Sequence, residues 1–256
     1  MTRMKALCLA FLALAGWGAP PPRLAIAAAA DLQFALTEAK AAFAKTRPGL
    51  EIAITYGSSG NFYTQIANKA PFDLFLSADL SYPRKLVEAG LADGATEFRY
   101  SRGRLVLWVP KDSPIPLEQL GMRALLHPAA RKVAIANPRH APYGRAAEAA
   151  LAKLGLLEAV KPRLVFGENI GQAAQFVQTG AADIGILALS LAKAPALAAA
   201  GRTFEVPQDA YPPLDQGGVI PNHARNRAAA LAFRDFLRSP GGLAILAKYG
   251  FTTEDR

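Results

Sequence analysis

Short apolar runs recur along the chain, and each is followed by a segment whose apolar positions return at helical spacing. Residues 24–28 read as a strand; Leu32, Leu36, Ala39 and Phe43 then mark one face of a helix that Pro48 and Gly49 stop. Leu50, Ile52, Ile54 and Tyr56 alternate with smaller or polar residues as a strand does, and 61–68 reads as a short helix. A strand at 72–76 and a helix at 83–89 repeat the pair. A continuous apolar strand within 100–110 opens a second series: strand 132–136, helix 144–154, strand 163–166, helix 171–178 and strand 184–187. Two helical segments, 224–237 and 241–249, close the chain.

Alternation of this kind predicts parallel sheets covered by helices, and two series predict two α/β lobes. No fixed-period repeat or low-complexity linker separates them, so strands or short loops are expected to join them. In open α/β sheets ligands bind beyond the carboxyl ends of the strands, and two lobes make the cleft between them the expected site.

The amino terminus stands outside this pattern. Arg3 and Lys5 precede an apolar run at 6–15 that is short for a bilayer span and ends in Gly16, Gly18 and Ala19, which reads as a cleavable signal peptide, residues 1–18. The single cysteine, Cys8, lies inside it, so the mature chain has no thiol and no disulfide, cysteine nucleophile or thiolate metal site. Of the 256 residues 52% are hydrophobic and 19% charged, an ordinary globular balance. The formal charge of +9 falls to +7 when Arg3 and Lys5 are removed, nine minus two. Its Lys and Arg residues are scattered in ones and twos, which argues against nucleic acid and leaves a mild field that attracts anions.

Four strand-to-helix junctions carry the candidate chemistry. Tyr56-Gly57-Ser58-Ser59-Gly60 places two hydroxyls at a helix start, where backbone N–H groups and the positive end of the dipole suit an anion. A simple helix cap by Ser58 or Ser59 is the alternative. The stretch lacks the lysine of a phosphate-binding P-loop, and Asn61 stands where a nucleophile elbow centred on Ser59 needs glycine. Ala136 to Arg145 forms a second junction, with Pro142 before the helix, the phenol of Tyr143, and Gly144 permitting close backbone approach. Gly167 to Gly171 is a third, with Asn169 as cap, and Ala28 to Leu32 is a fourth, with Asp31 as a cap candidate. His127, His140 and His223 read as surface residues. No nucleophile–base set, metal cluster or cofactor loop appears in the sequence, so neither an enzyme nor a cofactor is expected.

These junctions, in this order, together with Pro71 to Asp79 and the closing Tyr249-Gly250-Phe251, resemble the periplasmic molybdate-binding proteins of ATP-binding-cassette transporters. The resemblance covers nearly the whole mature chain. It implies a type II periplasmic-binding-protein fold, α/β and two-lobed with two crossover connections, here 19–103 plus 218–256 as one lobe and 104–217 as the other. It also implies a monomeric periplasmic protein that holds molybdate or tungstate between its lobes through neutral donors and delivers it to a membrane permease. A sensor using the same fold is the other class it admits. Carried over by position, Ser59, with Ser58 beside it, is the second-loop serine contact, Tyr143 the third-loop contact and Ile170 a backbone N–H donor. Ser59, Tyr143 and Ile170 would touch the oxygens of the anion, with no bond to its metal. Ala30 and Asp31 occupy the first loop, where relatives offer Ser or Thr, or a neighbouring Asn. Ala188 stands where some members place a tyrosine.

Two departures shape the expectation. Ala30 lacks the hydroxyl, so the first loop is expected to give mainly backbone N–H groups, and Tyr143 is expected to supply the phenol missing at Ala188. A carboxylate roughly 5 Å from a dianion, at an effective dielectric of about 20, would repel it by ~6 to 7 kcal/mol. That is most of the roughly 8 kcal/mol of a micromolar site. The preferred expectation is that Asp31 turns away to cap its helix; the alternative is that it faces the ligand protonated, or that the ligand carries a proton or is not molybdate.

Overall fold

The computed structural model describes residues 22–252, so the expected signal peptide lies outside the described residues. The chain opens with β1 (Arg23–Ala29), a 3-10 turn (Ala30–Leu32), α1 (Gln33–Ala44), β2 (Glu51–Gly57), α2 (Ser59–Ala67), β3 (Leu74–Ser77), α3 (Ser81–Glu88) and β4 (Phe98–Gly103). It continues through β5 (Leu105–Pro110), α4 (Leu117–Leu120), β6 (Val133–Ala136), α5 (Pro142–Lys153), α6 (Leu157–Val160) and β7 (Leu164–Gly167). Then follow α7 (Ile170–Gln178), β8 (Ile184–Ala188), α8 (Leu189–Ala192), α9 (Pro195–Ala200) and β9 (Gly201–Glu205). The chain closes with β10 (Leu214–Val219), α10 (Arg227–Arg238) and α11 (Pro240–Lys248).

Two five-stranded sheets result, in the orders β2-β1-β3-β10-β4 and β7-β6-β8-β5-β9. Each is mixed rather than parallel. β1 pairs parallel with β2 and β3, whereas β10 runs antiparallel to both β3 and β4. β6 pairs parallel with β7 and β8, and β5 runs antiparallel to β8 and β9. The single strand expected within 100–110 is two strands in different sheets, because the backbone leaves the first sheet at Gly103 and enters the second at Leu105. The chain returns once more, between β9 and β10. Leu214 already pairs with Gly103, so the return crossing precedes Leu214 rather than following 217.

Period-two alternation divides the first sheet between two layers of helices. Leu24, Ile26, Leu74 and Leu76 pack with Leu36, Phe43 and Phe233 of α1 and α10 on one face. Ala27 and Phe75 pack with Phe62, Ile66 and Leu86 of α2 and α3 on the other. Phe43 and Phe233 meet edge to face at 5.1 Å between ring centres, a geometry that adds about 0.5–1.5 kcal/mol to their area burial. β6 and β8 are buried at every residue, as strands covered on both faces are. The core of the second lobe also takes in Ala29, Ala30 and Ala78 from the first, so the lobes meet across the carboxyl ends of β1 and β3. Among the described residues no helix is long and apolar enough to cross a membrane.

Candidate functional site

The parallel strands β1 and β2 in one lobe, and β6 and β7 in the other, end facing a common cleft. A small cavity lies there, and Ala30, Asp31, Ser58, Ser59, Tyr143 and Ile170 all line it, with Gly57, Ala78 and Pro142 among their neighbours. The structure thus gathers every residue carried over from the four junctions. Among the described residues no Lys or Arg lines the cavity, and helix starts face it instead: Ser59 begins α2, Pro142 begins α5 and Ile170 begins α7. First-turn N–H groups have no partner within their own helix, and three such starts converge from two lobes.

The serines do not serve as caps. Ser58 has the extended backbone of an N-cap residue (φ −86°, ψ 145°), yet its side chain makes no capping bond. Its Oγ lies 3.0 Å from Nδ1 of His140 instead. Ser59 is fully buried, and its Oγ accepts the Ala78 N–H at 3.0 Å, which leaves its own proton to donate into the cavity. Asn169 does cap α7, accepting from the Gln172 N–H at 3.1 Å, so the Ile170 N–H is left at the mouth of that helix. Gly60 explains the second glycine of the motif: its N–H donates to the His140 carbonyl at 2.9 Å, and a Cβ there would sit 2.6 Å from that oxygen.

Asp31 overturns the capping expectation. It makes no capping bond in its 3-10 turn, is 1% exposed and belongs to the cavity wall. Oδ2 accepts from Nε2 of Gln216 at 2.6 Å and from the Tyr143 hydroxyl at 3.0 Å, while Oδ1 is buried and has no hydrogen-bond partner among the described residues. Burial raises its pKa from 3.8 to about 6, and the bonds from Gln216 and Tyr143 offset only part of that rise. The Tyr143 phenol is therefore committed to Asp31 rather than free to supply the phenol missing at Ala188; its backbone N–H lies in the first turn of α5. Burial, and then the negative charge of Asp31, hold the Tyr143 phenol far above its ordinary pKa, so it stays a donor.

Two participants escaped the sequence reading. Gln216, fully buried on β10, bonds Asp31 and also lies 3.2 Å from the Tyr143 hydroxyl. It sits on an antiparallel strand that the alternating pattern did not reveal. His140 is no free surface residue: it spans the cleft to Ser58, and Nε2 lies 3.6 Å from Glu168. Its place between Pro138 and Tyr143, inside a junction already singled out, was the available signal. Further bonds join the lobes around the cavity. Arg145 donates to Asp79 at 2.7 Å and to the Tyr82 hydroxyl at 3.0 Å, and the Asn61 amide donates to Glu168.

Comparison with known proteins places these features in a family. Residues 24–252 match the family model of the bacterial extracellular solute-binding protein. The molybdate-binding protein ModA of Rhodobacter capsulatus is 42% identical over 208 residues, 81% of this chain and 80% of its own length. ModA of Azotobacter vinelandii is 39% identical over 226 residues, 88% of each chain. In three dimensions the periplasmic molybdate-binding protein of Azotobacter vinelandii superposes with a TM-score of 0.83 at 33% identity, covering 91% of this chain and all of that one. The sulfate-binding protein SubI of Mycobacterium tuberculosis shares the fold at a TM-score of 0.78 and 18% identity, covering 91% of this chain and 88% of its own.

Proposed function

We propose that this chain, which belongs to the bacterial extracellular solute-binding protein family, is the periplasmic substrate-binding protein of an ABC transporter and captures molybdate or tungstate for a membrane permease. The observation that carries the reading is the meeting of three helix starts and the Ser59 hydroxyl, from two lobes, around one small cavity that no Lys or Arg among the described residues lines. The names of the curated relatives supply the ligand. Hydrogen bonds to a charged group contribute about 1.5–3 kcal/mol each, so four or five offset ordering costs and reach the roughly 8 kcal/mol of a micromolar site. Capture needs no bond-making step, so the chain binds rather than catalyses. The contacts of His140, Arg145 and Asn61 across the cleft present a joined two-lobe surface as the signal of a loaded protein. Export through the amino-terminal segment 1–18 places it on the permease's outer side, and one chain suffices to build the site.

A thermal-shift screen of the mature protein against molybdate, tungstate, sulfate, chromate, arsenate and phosphate tests the reading. A ligand at 1,000 times its Kd stabilises by about 4 kcal/mol, which for a chain of this size is roughly 8–16 °C. Stabilisation by none of the six would sink it. Ser59→Ala should weaken binding of the active anion about 10- to 100-fold, the loss of one such hydrogen bond; unchanged affinity would remove Ser59 from the site.

A further inference from the structure

We propose that Asp31 binds the anion as a neutral acid, its Oδ1–H donating to an anion oxygen in place of the hydroxyl that Ala30 lacks, so that above pH 7 each captured dianion brings one proton into the site. The inference rests on the oxyanion reading above and adds a residue that determines when the site is competent. Oδ2 is occupied on both sides by donors, Nε2 of Gln216 and the Tyr143 hydroxyl. In the neutral acid the oxygen that accepts both bonds is the carbonyl-type one, which leaves the proton to Oδ1. Oδ1 is the atom that is buried and unpartnered, on a residue that forms part of the cavity wall. A buried polar atom without a partner is costly unless something completes it, and an anion oxygen does so when Oδ1 carries a proton.

The alternative of an ionised Asp31 beside a dianion meets the repulsion worked out above. The groups facing Asp31 from neighbouring elements do not relieve it. Tyr143 on α5 and Tyr100 on β4 are held neutral, since burial raises both phenols well above their ordinary pKa. Gln216 on β10 is uncharged, and Ser190 on α8 donates to the Asp31 carbonyl at 2.8 Å rather than to its side chain. The proton therefore comes from solvent: one O–H bond forms at Oδ1, the buffer loses the proton, and no bond of the anion changes. His140, 3.0 Å from Ser58 with Glu168 beyond it, stands next to the cavity wall and serves as the control position.

Calorimetry with sodium molybdate, repeated at pH 8 in two buffers of different ionisation enthalpy, counts the protons. The wild-type chain should take up close to one proton per molybdate. Its affinity should fall about tenfold per pH unit above pH 7, as the competent acid form becomes rarer. Asp31→Asn, whose amide donates where the acid proton sat, should take up none, show a flat pH profile, and bind about 100-fold more tightly at pH 8, two units above a pKa of about 6. His140→Gln should keep the uptake. The proposal is overturned if wild type binds with no proton uptake, a result that needs no variant to fold, or if uptake survives in Asp31→Asn and vanishes in His140→Gln. Heat from wild type without uptake would refute this inference alone, whereas no heat from either protein would refute the molybdate reading beneath it.

Discussion

Asp31→Asn in the empty protein isolates the cost of its buried carboxylate from any ligand. The folded protein holds the Asp31 proton more tightly than the unfolded chain does, with a pKa raised from 3.8 to about 6. Between those values the folded state carries more protons, so the stability contributed by the neutral acid is fully present below pH 3.8 and is lost as pH rises through 6. A difference of about two units at ~1.4 kcal/mol per unit amounts to roughly 3 kcal/mol. Asn is neutral throughout and keeps an oxygen for Gln216 and Tyr143, so it has no such loss. The stability of the variant minus that of wild type should therefore rise by about 3 kcal/mol between pH 3.5 and 7 and stay level above it. In thermal unfolding near neutral pH that is a gain of about 6–12 °C. Carboxylates whose pKa is lowered, Glu38 by Lys248 and Asp93 by the Ala95 N–H and Arg227, tilt the curve the other way, but they do so equally in both proteins and cancel. Urea unfolding at half-unit pH steps on anion-free protein measures the difference directly. Parallel curves for the two proteins would show that Asp31 is not held as an acid, and a wild-type advantage that grows with pH would invert the argument.

Two contacts across the cleft give further tests. Gly60→Ala would put a Cβ 2.6 Å from the His140 carbonyl and 2.8 Å from the Tyr82 hydroxyl. It should hold the lobes apart, lowering anion affinity at least tenfold by calorimetry while leaving unliganded stability within about 1 kcal/mol, the scale of a glycine-to-alanine change in a helix; wild-type affinity would show that the lobes need not approach there. Arg145→Gln removes the charge partner of Asp79 from a pair roughly a third exposed on each side. The expected loss is below about 1 kcal/mol, a few-fold in affinity, and it should shrink in 1 M salt; an effect beyond tenfold would assign Arg145 to the ligand itself.

The elements were largely legible because their signals are local. The run at 24–28 appears as β1, and the spacing of Leu36, Ala39 and Phe43 appears as the buried face of α1. The strand-to-helix junctions could be read from Ser, Gly, Pro and Asn within a few positions of each helix start, and the Asn169 cap is one that forms as expected. β9 and β10 were missed: Gly201 to Glu205 is exposed or half-buried, and β10 contains Gly217 and Gly218, which weaken any strand pattern. Strand direction was misjudged for the same reason, since β5 and β10 take theirs from distant partners rather than from their own alternation.

Periodicity and capping act over three or four positions, so two series of α/β units, the helix starts that face the cleft and the residues set at them can all be read along the chain. What Asp31 does depends instead on contacts made across the whole fold. Its partners Tyr143 and Gln216 lie 112 and 185 positions away along the chain, and nothing near Asp31 distinguishes a solvated cap from a carboxyl sealed between two lobes. The ionisation of an acid follows from the water it has lost and the donors it meets, and both are properties of the assembled cleft.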